Sequence, residues 1–216
     1  MHSAQPALAL SRRHDGIQAT SVRRASLIDT VSAARALLGC LLVRDDEHGL
    51  RVGRIVETEA YLRDDPACHA FRGRDARNGS MFERAGTAYV YRLHRSYCFN
   101  VVTGARGCGE AVLVRALEPV EGMEAMQRAR ERRTVGHTAP RGFALTNGPG
   151  KLCQALDIDT GLDGAALLAV ASKRAPLRLL ACAGALDVGV STRIGISQGR
   201  DARLRFFVRD NPWVSR

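Results

Sequence analysis

The order in which strand-like segments follow one another is what most constrains this chain. Residues 41–44 and 50–61 both read as strands, and only Asp45-Asp46-Glu47-His48-Gly49 separates them, a turn composition that joins antiparallel neighbours. A polar, arginine-dotted loop over 63–79 comes next, then a hairpin formed by 89–93 and 97–102 with His94-Arg95-Ser96 at its tip. Another strand spans 111–117 and ends at Glu118-Pro119. Short helices are predicted over 29–38, capped by Asp29 or Thr30, over 122–133, and over 151–156 behind Thr146-Asn147-Gly148-Pro149-Gly150. The last third alternates strands and turns, through 193–197 and 203–209. Strands do not alternate regularly with helices, so a βαβ architecture is excluded. The order predicts an α+β fold: a single domain with a mostly antiparallel β-sheet, peripheral helices and a protruding β-hairpin. Residues 1–22 mix small, polar and basic types without periodicity and read as a flexible basic tail ahead of a domain over 23–216.

Composition bounds the class. With 216 residues, 45% hydrophobic and 25% charged, the chain can bury a core, and bulk disorder or coiled coil is excluded. No apolar run approaches the roughly 20 residues of a membrane helix; the longest, 34–43, carries Arg35. The apolar stretch at the N-terminus is too short for a secretion signal, and polar residues follow Ser11-Arg12-Arg13 where a twin-arginine signal needs apolar ones. The six cysteines are scattered without a Cys-x-x-Cys pair, which reads as reduced, buried thiols, no zinc or other metal site, and a cytoplasmic location. The net charge of +10 fits either a polyanion-binding face or a basic solvated surface. Lys151 and Lys173 are the only lysines, so the other 30 of the 32 basic residues are arginines. Arginine suits forked phosphate contacts and stacking on bases.

Several segments could carry chemistry, and each has a plain structural reading beside it. In Ile55-Val56-Glu57-Thr58-Glu59-Ala60-Tyr61, strand alternation puts Glu57, Glu59 and Tyr61 on one face. That face is either an ordinary polar surface or a pocket wall with a general base and a stacking ring. His69 is either structural or pocket-lining, and Arg72, Arg74, Arg77 and Asn78 form a glycine-broken loop suited to phosphates. Tyr89 and Tyr91 share one strand face and Tyr97 and Phe99 another, as sheet packing or as part of a site. All four tyrosines lie in the first half, near the glutamates and arginines. Asn147-Gly148-Pro149-Gly150-Lys151 opens a helix whose free N–H groups suit an anion, or is a simple turn, and it lacks the phosphate-loop spacing.

Taken together these segments resemble the alkyladenine (3-methyladenine) DNA glycosylase family, from about residue 37 to 215. The resemblance rests on Arg54-Ile55-Val56-Glu57-Thr58-Glu59-Ala60-Tyr61-Leu62, Phe71-Arg72-Gly73-Arg74, Tyr89-Val90-Tyr91, Arg115-Ala116-Leu117-Glu118-Pro119, Gly148-Pro149-Gly150-Lys151-Leu152-Cys153-Gln154-Ala155-Leu156 and Pro212-Trp213-Val214-Ser215. It implies a monomeric, cofactor-free enzyme of base excision repair. Such an enzyme flips a damaged purine out of double-stranded DNA and hydrolyses its N-glycosidic bond, leaving an abasic site. The expected substrates are 3-methyladenine, 7-methylguanine, hypoxanthine and ethenoadenine, and the expected location is the nucleoid-associated cytoplasm, without membrane attachment. Glu59 would activate the water, with Glu57 in support. Arg115 would hold the water or a phosphate, and the backbone carbonyl of Ile194 would contact the same water. Tyr61, His69 and Tyr91 would wall the base, and Asn100 would stand beside it and select against unmodified guanine. Arg72, Arg74, Arg77, Asn78, Arg95 and Lys151 would contact DNA.

The hairpin departs from the family. Where a tyrosine wedge is usual, this chain has His94, the tip is one residue shorter, and Arg95-Ser96 replaces a Gly-Met pair. A histidine is a smaller plug, so a shorter-lived flipped state is expected, with Arg92 and Arg95 compensating. The scarcity of lysine near the carboxylate–aromatic segment predicts hydrolysis by water rather than a Schiff base that also cuts the strand. The reading from another class is a nucleic-acid-binding module without turnover, which the intact Glu59, Tyr61 and Asn100 oppose. A zinc nucleobase deaminase is excluded, because His-x-Glu with Cys-x-x-Cys is missing.

Overall fold

Strand β3 (Arg51–Tyr61) is the spine of the sheet. In this computed structural model, which describes residues 19–133, 140–168, 175–182 and 184–215, nearly every residue of β3 is buried. Before it come β1 (Ala19–Ser21), helix α1 (Thr30–Ala36) and β2 (Leu41–Arg44); after it come the hairpin β4 (Ala88–Leu93) and β5 (Ser96–Thr103), then β6 (Glu110–Glu121). Helices α2 (Met123–Arg133) and α3 (Pro149–Ala155) follow, and β7 (Leu177–Cys182), β8 (Val188–Ser191) and β9 (Arg205–Val208) complete the described elements. The sheet runs β1-β7-β2-β3-β6-β5-β4, and β8 joins through β9. Every strand pairing among the described residues is antiparallel, as the short turns require.

One edge of β3 is shared. Its first half pairs with β2 and its second half, Glu57 to Glu59, with β9, while β6 lies along the other edge. Three irregularities interrupt the β3–β6 ladder. At one of them Glu57 pairs with Ala116 and Thr58 with Val114, so Arg115 is the additional residue of a β-bulge. A bulge re-aims the side chain it carries, and here it places the guanidinium beside both glutamates.

The helices follow the capping logic of the sequence. Asp29 caps α1, its carboxylate accepting from Ser32 N–H at 2.7 Å. The turn into α2 depends on Gly122, whose φ is +74°; a Cβ there would lie 2.0 Å from the Leu50 carbonyl oxygen. The main core joins α1 and α3 to the sheet through Leu37, Ile55, Val112, Phe99 and Leu152. Met81, Tyr89, Val102 and Ala111 form a second, smaller cluster beside the site.

Some expectations change. Ala19–Ser21, placed in the tail, form β1 against β7, and residues 1–18 lie outside the described residues. Strand β6 runs past Glu118-Pro119 to Glu121, because Pro119 sits beside a bulge where a lost N–H is tolerated. Residues 193–197 form no strand; they belong to an irregular loop between β8 and β9. The hairpin tip is the two-residue turn His94-Arg95, since Leu93 pairs with Ser96.

Candidate active site

Glu57 and Glu59 share one face of β3, and that face points inward: both are 0% exposed. A buried carboxylate needs partners for its lone pairs, and each glutamate has its own set. Glu57 accepts from Arg115 Nε at 3.0 Å, Arg205 Nε at 2.7 Å, Ser215 N–H at 2.7 Å and the Ser215 hydroxyl at 2.8 Å. It thereby ties β6, β9 and the C-terminal segment together, and its oxygens are fully engaged by structure.

Glu59 is held differently. Its Oε1 accepts from the Ile194 backbone N–H at 2.8 Å, and its Oε2 from the Tyr61 hydroxyl at 2.9 Å and Arg115 Nη1 at 3.3 Å. Those three donor residues all line a cavity of about 350 Å³, a volume suited to a small ring system. Glu59 therefore lies just beneath the cavity floor. The paired carboxylates keep the Arg115 guanidinium firmly charged: burial disfavours the cation, but Glu59 and Glu57 outweigh it and raise its pKa.

The cavity walls are aromatic. Tyr61, His69, Tyr89 and Tyr91 line it, with Asn100, Leu113, Leu93 and Pro149. The His69 and Tyr91 rings are 4.5 Å apart at 66°, and Tyr89 and Tyr91 are 5.4 Å apart at 32°. His69 Nδ1 and the Tyr89 hydroxyl share a hydrogen bond of 2.8 Å. Burial raises the pKa of Tyr91, Tyr61 and Tyr89, so all three stay neutral phenols. Partial burial, with Arg77 nearby, lowers that of His69 and favours neutral imidazole. The walls thus present uncharged π faces. Asn100 is 4% exposed, and its Nδ2 donates to the Tyr89 carbonyl at 3.0 Å. That bond fixes the amide at the cavity edge.

The expected site residues thus fall into groups. Glu59, Tyr61, His69, Tyr91, Asn100, Arg115 and Ile194 converge on one cavity. Arg72, Arg74 and Arg77 are exposed on the neighbouring loop, and His94 and Arg95 are exposed at the hairpin tip. Lys151 is half-buried, its ammonium donating to Asn147 Oδ1 at 2.8 Å. Asn78 departs from the expectation of a DNA contact: it is 2% exposed, and its amide donates to the carbonyls of His69 and Gly73 at 3.0 and 2.9 Å. Its side chain braces the loop from inside because the turn's carbonyls need a donor there.

Sequence reasoning also missed residues. Tyr89, singled out with Tyr91 on one strand face but given no role, lines the cavity. Arg205 and Ser215 close around Glu57 from distant segments; Ser215 ends the Pro212–Ser215 stretch of the resemblance, but no sequence signal assigned either residue a role. Ile194 was expected to act through its carbonyl, which accepts from Arg115 Nη1 at 3.5 Å; its N–H on Glu59 is the shorter contact.

Among the described residues no helix is long and apolar enough to cross a membrane, and no three His, Cys, Asp or Glu side chains group as metal ligands.

The site is thus a carboxylate beneath an aromatic cavity, with exposed arginines on the neighbouring loop. The chain belongs to the methylpurine-DNA glycosylase family, whose profile matches residues 24–212. Members are hydrolases of N-glycosyl bonds that act on methylated purines in DNA repair. Three relatives each bear the name "Putative 3-methyladenine DNA glycosylase". The protein of Methanoculleus marisnigri is 47% identical, over 87% of this chain and 94% of the relative. That of Carboxydothermus hydrogenoformans is 45% identical over 87% and 94%, and that of Francisella tularensis 42% identical over 88% and 95%.

Proposed function

We propose that this protein flips alkylated or deaminated purines of the 3-methyladenine, 7-methylguanine, hypoxanthine and ethenoadenine class out of duplex DNA and hydrolyses the N-glycosidic bond with a water activated by Glu59. The observation that carries this reading is a fully buried carboxylate whose three donor residues form part of an aromatic cavity. Glu59 takes a proton from water as the oxygen bonds to C1′. The C1′–N bond breaks, its electron pair leaves with the base, and an abasic site remains. The carboxylate also stabilises the positive charge that develops on the sugar. Arg115 and the Ile194 carbonyl hold the water.

Tyr61, His69 and Tyr91 stack on the purine, joined by Tyr89. Flipping costs a few kcal/mol, and stacking returns about 1–3 kcal/mol per base, so two engaged walls offset the cost. Neutral rings suit a cationic alkylated base through cation–π attraction. Asn100 stands at the base edge and disfavours unmodified guanine. Arg72, Arg74, Arg77, Arg95 and Lys151 contact the DNA backbone, and the hairpin tip with His94 enters the gap left by the base. The protein acts as a monomer, without a cofactor, on DNA of the nucleoid.

The test is incubation with duplexes carrying hypoxanthine, ethenoadenine or 3-methyladenine, followed by alkaline cleavage of abasic sites. Cleavage is expected in the wild type. Glu59→Gln should lose about 10²–10⁴ in rate while still binding the duplex. Equal activity in that variant overturns the assigned role, and binding without turnover in the wild type favours a non-catalytic module.

A further inference from the structure

We propose that Arg193 is a positioning residue of this site: from outside the cavity it sets the two groups that orient Glu59, and so governs the chemical step without touching DNA. The inference rests on the proposed role of Glu59. The Arg193 side chain is wholly buried and is not among the groups lining the cavity. It forms an ion pair with Asp65, and donates to the Ala60 carbonyl at 3.1 Å and the Gly199 carbonyl at 3.2 Å. Its guanidinium lies 4.7 Å from the centre of the Tyr61 ring. The ring is therefore backed by Arg193 while its hydroxyl donates to Glu59 Oε2.

The second connection runs through the backbone. Arg193 immediately precedes Ile194, whose N–H donates to Glu59 Oε1. This segment has no strand ladder to hold it, so the forked contacts of Arg193 fix where that N–H points. One side chain thus stands behind a donor to each oxygen of Glu59. The surroundings are shaped to the pair: Gly199 has φ +60°, and a Cβ there would lie 2.8 Å from Asp65 Oδ1 and 3.0 Å from Arg193 Nη2. A buried ion pair is a poor device for stability alone. Its planar fork, which reaches several acceptors and a ring at once, is what lysine cannot reproduce.

Arg193→Lys keeps the charge opposite Asp65 and loses the fork and the stack. In single-turnover cleavage of a duplex carrying a lesion the wild type processes, the rate constant should fall about 10- to 100-fold, the scale of a small misplacement of a reacting group. The Kd for a duplex with an abasic analogue should stay within about twofold, because the contacts to DNA are untouched. The deciding measurement is a double-mutant cycle with Glu59→Asp, whose shorter side chain no longer reaches both donors. In that background Arg193→Lys should cost less than about threefold. An equal penalty in both backgrounds, a loss confined to Kd, or no loss overturns the proposal. If Arg193→Lys melts below the assay temperature, Asp65→Asn takes its place with the same pattern required. Failure of the proposed function is distinct: it would show as no cleavage by the wild type, or as none lost in Glu59→Gln.

Discussion

Two glutamates two residues apart on one strand are held by different partners, and substitution should separate them. Glu57 holds two guanidiniums and the Ser215 backbone. Glu57→Ala takes from buried Arg115 one of its two carboxylates and from half-buried Arg205 its own, which should destabilise the fold by about 3–5 kcal/mol, read as a fall in thermal midpoint. Glu59→Gln keeps the shape and leaves the Glu57 cluster intact, so its midpoint should fall less while its activity is lost. His69 gives a pH signature. Its folded pKa lies below the ordinary 6.5, so the unfolded chain binds the proton first as pH falls. Stability from this group is present above about pH 6.5 and declines from there down to the folded pKa. Urea midpoints measured between pH 5 and 8 should show that decline, and His69→Phe should flatten it.

At the scale of elements, the β6 bulge and the β4–β5 hairpin have functional consequences. The bulge adds one residue, and without it Arg115 would not fall between Glu57 and Glu59. At the hairpin, alternation along β4 places Leu93 on the cavity face with Tyr89 and Tyr91, yet it is 47% exposed. His94 is at the turn with φ +51°, its carbonyl accepting from Arg92 Nε at 3.2 Å. The rim thus offers an apolar group next to the histidine, and leucine is an effective wedge. With 2-aminopurine opposite the hairpin, Leu93→Ala should lower flipped-base fluorescence more than His94→Ala. The reverse order would return the wedge to His94 alone.

For the whole molecule, a net charge of +10 with exposed Arg72, Arg74 and Arg77 makes DNA affinity a function of salt. Replacing any one of these arginines by Gln should reduce the slope of log K against log salt by about 1; an unchanged slope removes that arginine from the interface. Of the two lysines, Lys151 is bonded to Asn147 and Lys173 falls outside the described residues. With water as the proposed nucleophile and no lysine among the described cavity-lining residues, borohydride treatment during turnover should trap no protein–DNA adduct.

Strand alternation alone put Glu57, Glu59 and Tyr61 on one face, and turn residues and caps alone implied an antiparallel α+β chain. These are local properties, set by backbone geometry within a few residues, and they were legible without coordinates. Which way that face points was not, because burial depends on what packs over it. Nor did any pattern show that Ser215, 158 residues from Glu57, would complete its cluster, or that Ile194, 135 residues from Glu59 and expected from the resemblance to act through its carbonyl, would donate its N–H to that carboxylate. Asn78 departs from its expected DNA contact for the same reason, since a polar loop residue looks identical in sequence whether it faces solvent or braces a turn. Chemistry of the groups was written in the chain; their convergence needed the folded sheet, because contacts between distant segments exist only once the chain has folded back on itself.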